Sequence, residues 1–311
     1  FGLNRNEPLE AYGTSKELVD RFVQAVANGG GMILNVGPKA DGQIPLIQQE
    51  RLLQLGDWLA INGNAIYGSR PYDIVEEEKM VSKQRVDSVI NFNWVRNSPM
   101  KGIKEDDFTA EWKGYLVAPV SGTYTFEVKA DDAASVTIDN TLVIDQNYTA
   151  GGADSQVMGA NTGTSTDGKI KLKEGVAYPI LIKFKEKKQQ AEIALFWSSK
   201  KMPKELVPAS QLFQDNAATQ PGLMGTYSSL KTYLCYTQNQ GNIYAIALEW
   251  PGDKLELNIP DPGKVTVSML GLDKVLKYSY SDGKMIIDTS DIGFNELPSY
   301  DAWTFEIKPL N

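Results

Sequence analysis

A chain of 311 residues with no histidine and a single cysteine, Cys235, has few chemistries open to it. Serine or cysteine nucleophiles activated by an imidazole are excluded within it, as are most zinc sites. A lone thiol forms no internal disulfide. Acid–base work is left to carboxylates: 39 Asp and Glu stand against 31 Lys and Arg, a formal net charge of −8. That balance repels phosphate backbones and anionic lipid, so nucleic acid is not an expected partner. No apolar run approaches the roughly 18 residues of a membrane span.

Any such carboxylates need elements to hold them. Thr14-Ser15-Lys16-Glu17 fits a capping box, and Leu18, Val19, Phe22, Val23 and Val26 then recur at spacings of three and four. This predicts a helix that ends at Asn28-Gly29-Gly30-Gly31. Met32-Ile33-Leu34-Asn35-Val36, stopped by Gly37-Pro38, is the nearly continuous apolar run of a strand buried on both faces. A second helix starts at Pro45, carries Leu52, Leu55, Trp58 and Leu59 on one face and closes at Asn62-Gly63. A parallel strand needs parallel neighbours joined through crossover helices, and nothing after residue 70 supplies another such unit. The expectation is the end of a (β/α)8 barrel whose other strands precede Phe1, leaving Phe22, Leu34 and Leu52 exposed unless something covers them.

After residue 72 the helical period gives way to alternation. Tyr124, Phe126 and Val128 alternate with Thr123, Thr125, Glu127 and Lys129, as do Ile180, Ile182 and Phe184 with Leu181, Lys183 and Lys185. Pro119, Gly122 and Gly175 mark turns, and short strands of this kind predict a sandwich. Trp94, Trp112 and Trp197 fit its core. From Gly222 onward, Ile243–Leu248 and Val265–Val267, with a hairpin turn at Ser281-Asp282-Gly283, predict a second antiparallel sandwich. Glu76, Glu77 and Glu78 with Lys79 read as a solvated linker. The fold class expected is mixed: the end of a barrel (1–72), an inserted β-sandwich (73–221) and a terminal β-sandwich (222–311).

"FGLNRNE", "GGGMILNVGPKADGQIP" and "ERLLQLGDWLAINGNAIYGSRP" at the start, with "YAIALEWPGD" and "AWTFEIK" near the end, resemble family 29 glycoside hydrolases, the α-L-fucosidases. Between them "RVDSVINFNW", "DDFTAEWKGYLVAPVSGTYTFEVKADDAASVTIDNTLVID" and "GKIKLKEGVAYPILIKFKEKKQQAEIALFW" resemble the protective-antigen-type domain of bacterial toxins, glycosidases and yeast adhesins. The first resemblance implies retaining exo-α-L-fucosidase activity on a fucosylated oligosaccharide or glycoconjugate. That reaction runs on a nucleophilic carboxylate and an acid/base carboxylate about 5 Å apart, without a cofactor. The family's motifs place both carboxylates upstream of Phe1, so no catalytic residue is assigned in this chain, which is expected to be inactive without its N-terminal half. The resemblance also implies a periplasmic or extracellular location. The alternative reading is a carbohydrate-binding or scaffold protein without chemistry.

Two sites are implied by resemblance. Phe1 matches the position where the fucosidases set an aromatic ring against the sugar, although it also reads as an ordinary core aromatic. Asp131 and Asp132 match adjacent aspartates with which adhesins of the second family hold calcium, helped by an asparagine from a later loop, here Asn147 or Asn161; hard oxygen ligands suit that ion. The same pair also reads as a hydrogen-bonded turn. The chain departs from common family patterns at Ala133 and Asn140. Finally, "GLMGTY" at residues 222–227 resembles the strand that usually opens this domain, yet follows it here, and the charged "IVEEEKMVSKQR" stretch offers no equivalent. Either this segment folds back into the inserted sandwich, closing an open edge, or it starts the terminal domain.

Overall fold

The computed structural model describes residues 12–148 and 164–310. Two helices come first, α1 (Ser15–Ala27) and α2 (Leu46–Asn62). Strands follow: β1 (Arg70–Asp87), β2 (Asn91–Val95), β3 (Phe108–Val117), β4 (Gly122–Asp131), β5 (Ala133–Ile138), β6 (Thr141–Gln146), β7 (Thr164–Leu172), β8 (Ala177–Glu186), β9 (Ala191–Ser199), β10 (Met202–Leu206), β11 (Leu212–Phe213) and β12 (Leu223–Asn239). The last group is β13 (Asn242–Ala247), β14 (Lys254–Leu257), β15 (Val265–Met269), β16 (Val275–Leu276), β17 (Tyr278–Ser281), β18 (Lys284–Asp288) and β19 (Trp303–Pro309). The protein is therefore mostly β-sheet. Its chain forms two compact units, one from the residues up to Lys79 together with Thr232 onward, the other from Met80 to Lys231.

In the first unit α1 starts as its sequence predicts: Thr14 Oγ1 accepts from Glu17 N, and Thr14 N donates back to the Glu17 carboxylate at 2.9 Å. It ends at Asn28, followed by Gly29 at φ 79°. Val19, Val23 and Ala27 of α1 and Trp58 of α2 pack on Cys235, Tyr244, Ile246 and Leu248. Alternate residues of the same two strands, Leu234, Tyr236, Ala245 and Ala247, face a second sheet built from β14, β18 and β17. The sheet β16-β15-β19-β13-β12 is thus covered by helices on one face and by strands on the other. The Ser281-Asp282-Gly283 turn is as expected: Ser281 pairs with Lys284, and Asp282 and Gly283 take φ 53° and 77°, the double left-handed pair of a tight hairpin.

Two expectations fail in this unit. Met32–Val36 forms no strand. A strand is held by a ladder to a neighbour, and none among the described residues pairs with it. The end of the run is tied instead to α2, where the fully buried Gln48 side chain accepts from Gly37 N at 2.8 Å. Exposure also falls elsewhere than predicted: Phe22, Leu34 and Leu52 are half-buried, while Ile33, Leu46 and Leu53 are exposed. The second failure is the 76–79 charge run, which is part of β1 rather than a solvated linker. Glu77 is buried and accepts hydrogen bonds from the Tyr236 hydroxyl (2.5 Å), the Tyr233 hydroxyl (2.9 Å), Asn258 N (2.9 Å) and the Asn258 amide. Sequence could not show that two tyrosines some 156 and 159 positions later would arrive there.

The second unit is a two-sheet sandwich. One sheet runs β12-β3-β8-β5-β6 and the other β10-β9-β4-β7, with β2 beside β9. The predicted alternation holds: Tyr124, Phe126 and Val128 are buried against Ile182, Phe184, Trp112 and Trp197, and Trp94 packs against the same core half-buried. The "GLMGTY" segment folds back into this sandwich. Met224 pairs with Lys113 and Ser229 with Phe108 in an antiparallel ladder, so the first part of β12 closes the edge of β3. The stretch before Val86 is a strand after all, since Ser82, Gln84 and Arg85 of β1 hydrogen-bond Ser228, Thr226 and Tyr227 of β12.

Candidate functional site

The aspartates singled out by resemblance lie where β4 hands over to β5, at one end of the second unit's sandwich. Asp131 is the last residue of β4, and the peptide bond to Asp132 is cis. Asp132 is 8% exposed, and its Oδ2 accepts from Lys187 N at 2.7 Å, which ties it to the residue just beyond β8. Asn147 reaches the same end of the sheet. It sits at φ 55°, bridges Ala134 by backbone hydrogen bonding, and follows Gln146, whose side-chain amide donates to Ala130 O at 2.9 Å. The Asp132 hydrogen bond fits the turn reading, and the backbone of Asn147 is bridged to Ala134, two residues beyond Asp132. Asn161 and Phe1 lie outside the described residues.

A third carboxyl belongs to this end. Glu186 closes β8 at 1% exposure, and among the described residues neither of its carboxyl oxygens has a hydrogen-bond partner. Burial, then the neighbouring charges of Asp132, Asp131, Asp106 and Asp107, push its pKa up to about 9, so it holds its proton at neutral pH. Asp106 accepts from Gln189 N at 2.9 Å. Sequence reasoning missed Glu186, yet a signal was there. In the alternation Ile180, Ile182, Phe184, the next inward position is 186, so the carboxyl was placed by the period of two on the buried face.

The donors at this end are hard oxygens, the type that calcium takes. Among the described residues no group of three or more Asp, Glu, His or Cys side chains is placed to hold a metal. An ion on Asp131 and Asp132 would complete its shell with neutral oxygens, from an asparagine, the backbone or a ligand's hydroxyls. Among the same residues no helix is long and apolar enough to cross a membrane.

Comparison with known proteins divides the chain in the same order as its sequence motifs. The Alpha-L-fucosidase family matches residues 1–64, the PA14 domain 64–211 and the Alpha-L-fucosidase C-terminal domain 228–308. Similar curated proteins include anti-sigma-I factor RsgI3 of Acetivibrio thermocellus, 34% identical over 131 residues, 42% of this chain and 19% of that protein. The tissue alpha-L-fucosidases of Macaca fascicularis and Homo sapiens are each 43% identical over 82 residues, 26% of this chain and 18% of theirs. The chain thus spans about a fifth of the length of these relatives. Among solved structures, the Thermotoga maritima alpha-fucosidase in complex with a mechanism-based inhibitor aligns with 99% of this chain and 37% of its own at 17% identity and a TM-score of 0.44. The PA14 match stops at 211, whereas the second unit continues to Lys231 and takes the first part of β12 with it. Alpha-L-fucosidase matches thus lie on both sides of the PA14 match, an order consistent with the C-terminal part of an alpha-L-fucosidase that carries an inserted PA14, protective-antigen-type domain.

Proposed function

We propose that the whole protein is a retaining exo-α-L-fucosidase acting on fucosylated glycans in the periplasm or outside the cell. This chain supplies the end of its catalytic (β/α)8 barrel, the supporting C-terminal sandwich and an inserted domain that binds carbohydrate. The observation that carries the reading is order: the two fucosidase matches, 1–64 and 228–308, bracket the PA14 match. Helices α1 and α2 lie on the sheet built from the end of the chain, with Trp58 Nε1 donating to Ala302 O at 3.0 Å, which fits a barrel end held by a C-terminal sandwich. The nucleophile and the acid/base carboxylate lie outside residues 1–311 in this reading, and Phe1 sits against the sugar.

In the inserted domain Asp131 and Asp132, with Asn147 or Asn161, would hold a calcium ion. That ion would supply open coordination positions for two hydroxyls of a sugar.

Hydrolysis of 4-nitrophenyl α-L-fucoside tests the enzymatic reading. The natural full-length protein should turn it over and release α-fucose first, as retention requires, and the 311-residue chain alone should not. A full-length protein inactive on aryl and oligosaccharide fucosides would favour the carbohydrate-binding or scaffold reading.

A further inference from the structure

The outward face of the sheet β12-β3-β8-β5 carries a hollow of about 420 Å³, within the roughly 300–1,000 Å³ range of small-ligand sites. One row of it crosses four strands in register: Met224, Lys113, Leu181 and Thr137. Tyr115 stands two residues along β3 from Lys113, on the same face by the period of two. Asn140, in the turn between β5 and β6, lines the far side.

Three features separate this hollow from ordinary sheet surface. Its floor is apolar, from Leu181 and Met224. The charged residue in its lining, Lys113, pairs with Glu111, which also meets Lys183 in the neighbouring row. Its remaining polar side chains are neutral: Gln214 donates to Pro221 O, while the hydroxyls of Tyr115 and Thr137 and the amide of Asn140 make no side-chain hydrogen bond among the described residues. A peptide adding as a strand would find no edge, since β3 and β8 are paired on both sides. Neutral donors and acceptors around an apolar floor with one aromatic ring match a polyhydroxylated ligand with an apolar face.

We infer that this hollow is a saccharide-binding groove, separate from the Asp131–Asp132 end of the domain and independent of any metal. The two places lie toward opposite ends of β5, Asp132 preceding its first residue and Asn140 following its last. The ligand class rests on the groove's own chemistry, and the inference stands or falls apart from the calcium reading.

The test is an NMR titration of the 311-residue chain with lactose, 2′-fucosyllactose and maltotriose in EDTA. At least one saccharide should shift the amide signals of Thr137, Asn140 and Leu181. Tyr115→Phe combined with Asn140→Gly, a change that keeps the turn's left-handed backbone, should weaken that binding tenfold or more at unchanged melting temperature. No shift at the groove with any of the three saccharides overturns the inference. Binding that disappears in EDTA or in Asp132→Asn, yet survives the groove variants, also overturns it and leaves the calcium reading standing.

Discussion

The Tyr227 hydroxyl donates a 2.6 Å hydrogen bond to Oδ2 of Asp87, joining residues 140 positions apart at the two ends of the inserted unit. The same oxygen accepts from Trp112 Nε1 at 2.8 Å, and Oδ1 accepts from Arg85 Nε at 2.7 Å. Arg85 also donates to Pro99 O and to the Tyr227 hydroxyl and lies 4.6 Å from the centre of the Tyr227 ring. A buried carboxylate so supplied holds β1, β3 and β12 in register. Tyr227→Phe should cost about 1.5–3 kcal/mol, the range for hydrogen bonds to charged groups. Asp87→Ala, which leaves the Arg85 charge without its partner, should cost about 3–5 kcal/mol. Urea unfolding measures both, and a Tyr227→Phe variant as stable as the parent would show that the bond does not lock the unit.

Gly225 has no room for a side chain. A Cβ there would lie 2.5 Å from Asp87 Oδ2 and 3.0 Å from the Trp112 ring. Gly225→Ala should therefore destabilise the inserted unit by displacing its central carboxylate, while Gly241→Ala, at an open turn, should cost only the strain of its left-handed backbone. Thermal unfolding of the two variants side by side separates crowding from backbone strain. Equal losses would mean that the space at Gly225 is not what matters.

Glu77 plays the corresponding part in the first unit. Burial and then the Glu77 carboxylate raise the pKa values of Tyr236 and Tyr233, so both hydroxyls stay protonated as donors well above pH 10. Glu77→Ala leaves Tyr236 and Asn258 N without their acceptor and should cost about 3 kcal/mol, the upper end for a buried group left unsatisfied. Glu77→Gln, which still accepts, should lose less. Guanidinium unfolding checks the order, and a reversed order would remove the carboxylate from this role.

Glu186 makes stability fall as pH rises. Its carboxyl keeps its proton up to about pH 9 when folded, against an ordinary value of 4.5. Between these values the folded chain binds the extra proton, so the unfolded state gains as the pH climbs. Glu186→Gln, neutral at every pH, should match the parent near pH 4 and exceed it increasingly from pH 5 to 9. Melting temperatures across that range test the sign. A parent curve with no slope that the variant removes would refute it.

Calcium gives the complementary measurement. If Asp131 and Asp132 hold the ion, millimolar calcium should raise the melting temperature of the parent, by about 2.7 kcal/mol of stability at a hundred times the dissociation constant. Asp132→Asn should abolish the rise, and magnesium should not reproduce it. A parent unmoved by calcium removes the ion from this end and leaves the turn reading.

What the sequence settled by itself was local or periodic. The capping box at Thr14, the alternation through Tyr124 and Ile182 and the Asp282-Gly283 turn each follow from side chains acting within a few residues, so they were legible without neighbours. Family motifs, being long and ordered, carried the domain sequence as well. Tertiary structure decided what depends on residues distant along the chain. Met32–Val36 has the composition of a strand, but a ladder needs a partner strand and none of those described pairs with it. Glu77 has the neighbours of a linker, yet Tyr233, Tyr236 and Asn258 bury it. The same holds at the candidate site. Asp131 and Asp132 are adjacent in sequence and were visible at once, whereas Glu186 comes under their charge only because β4 and β8 end where β5 begins, an outcome of sheet register that no local pattern encodes.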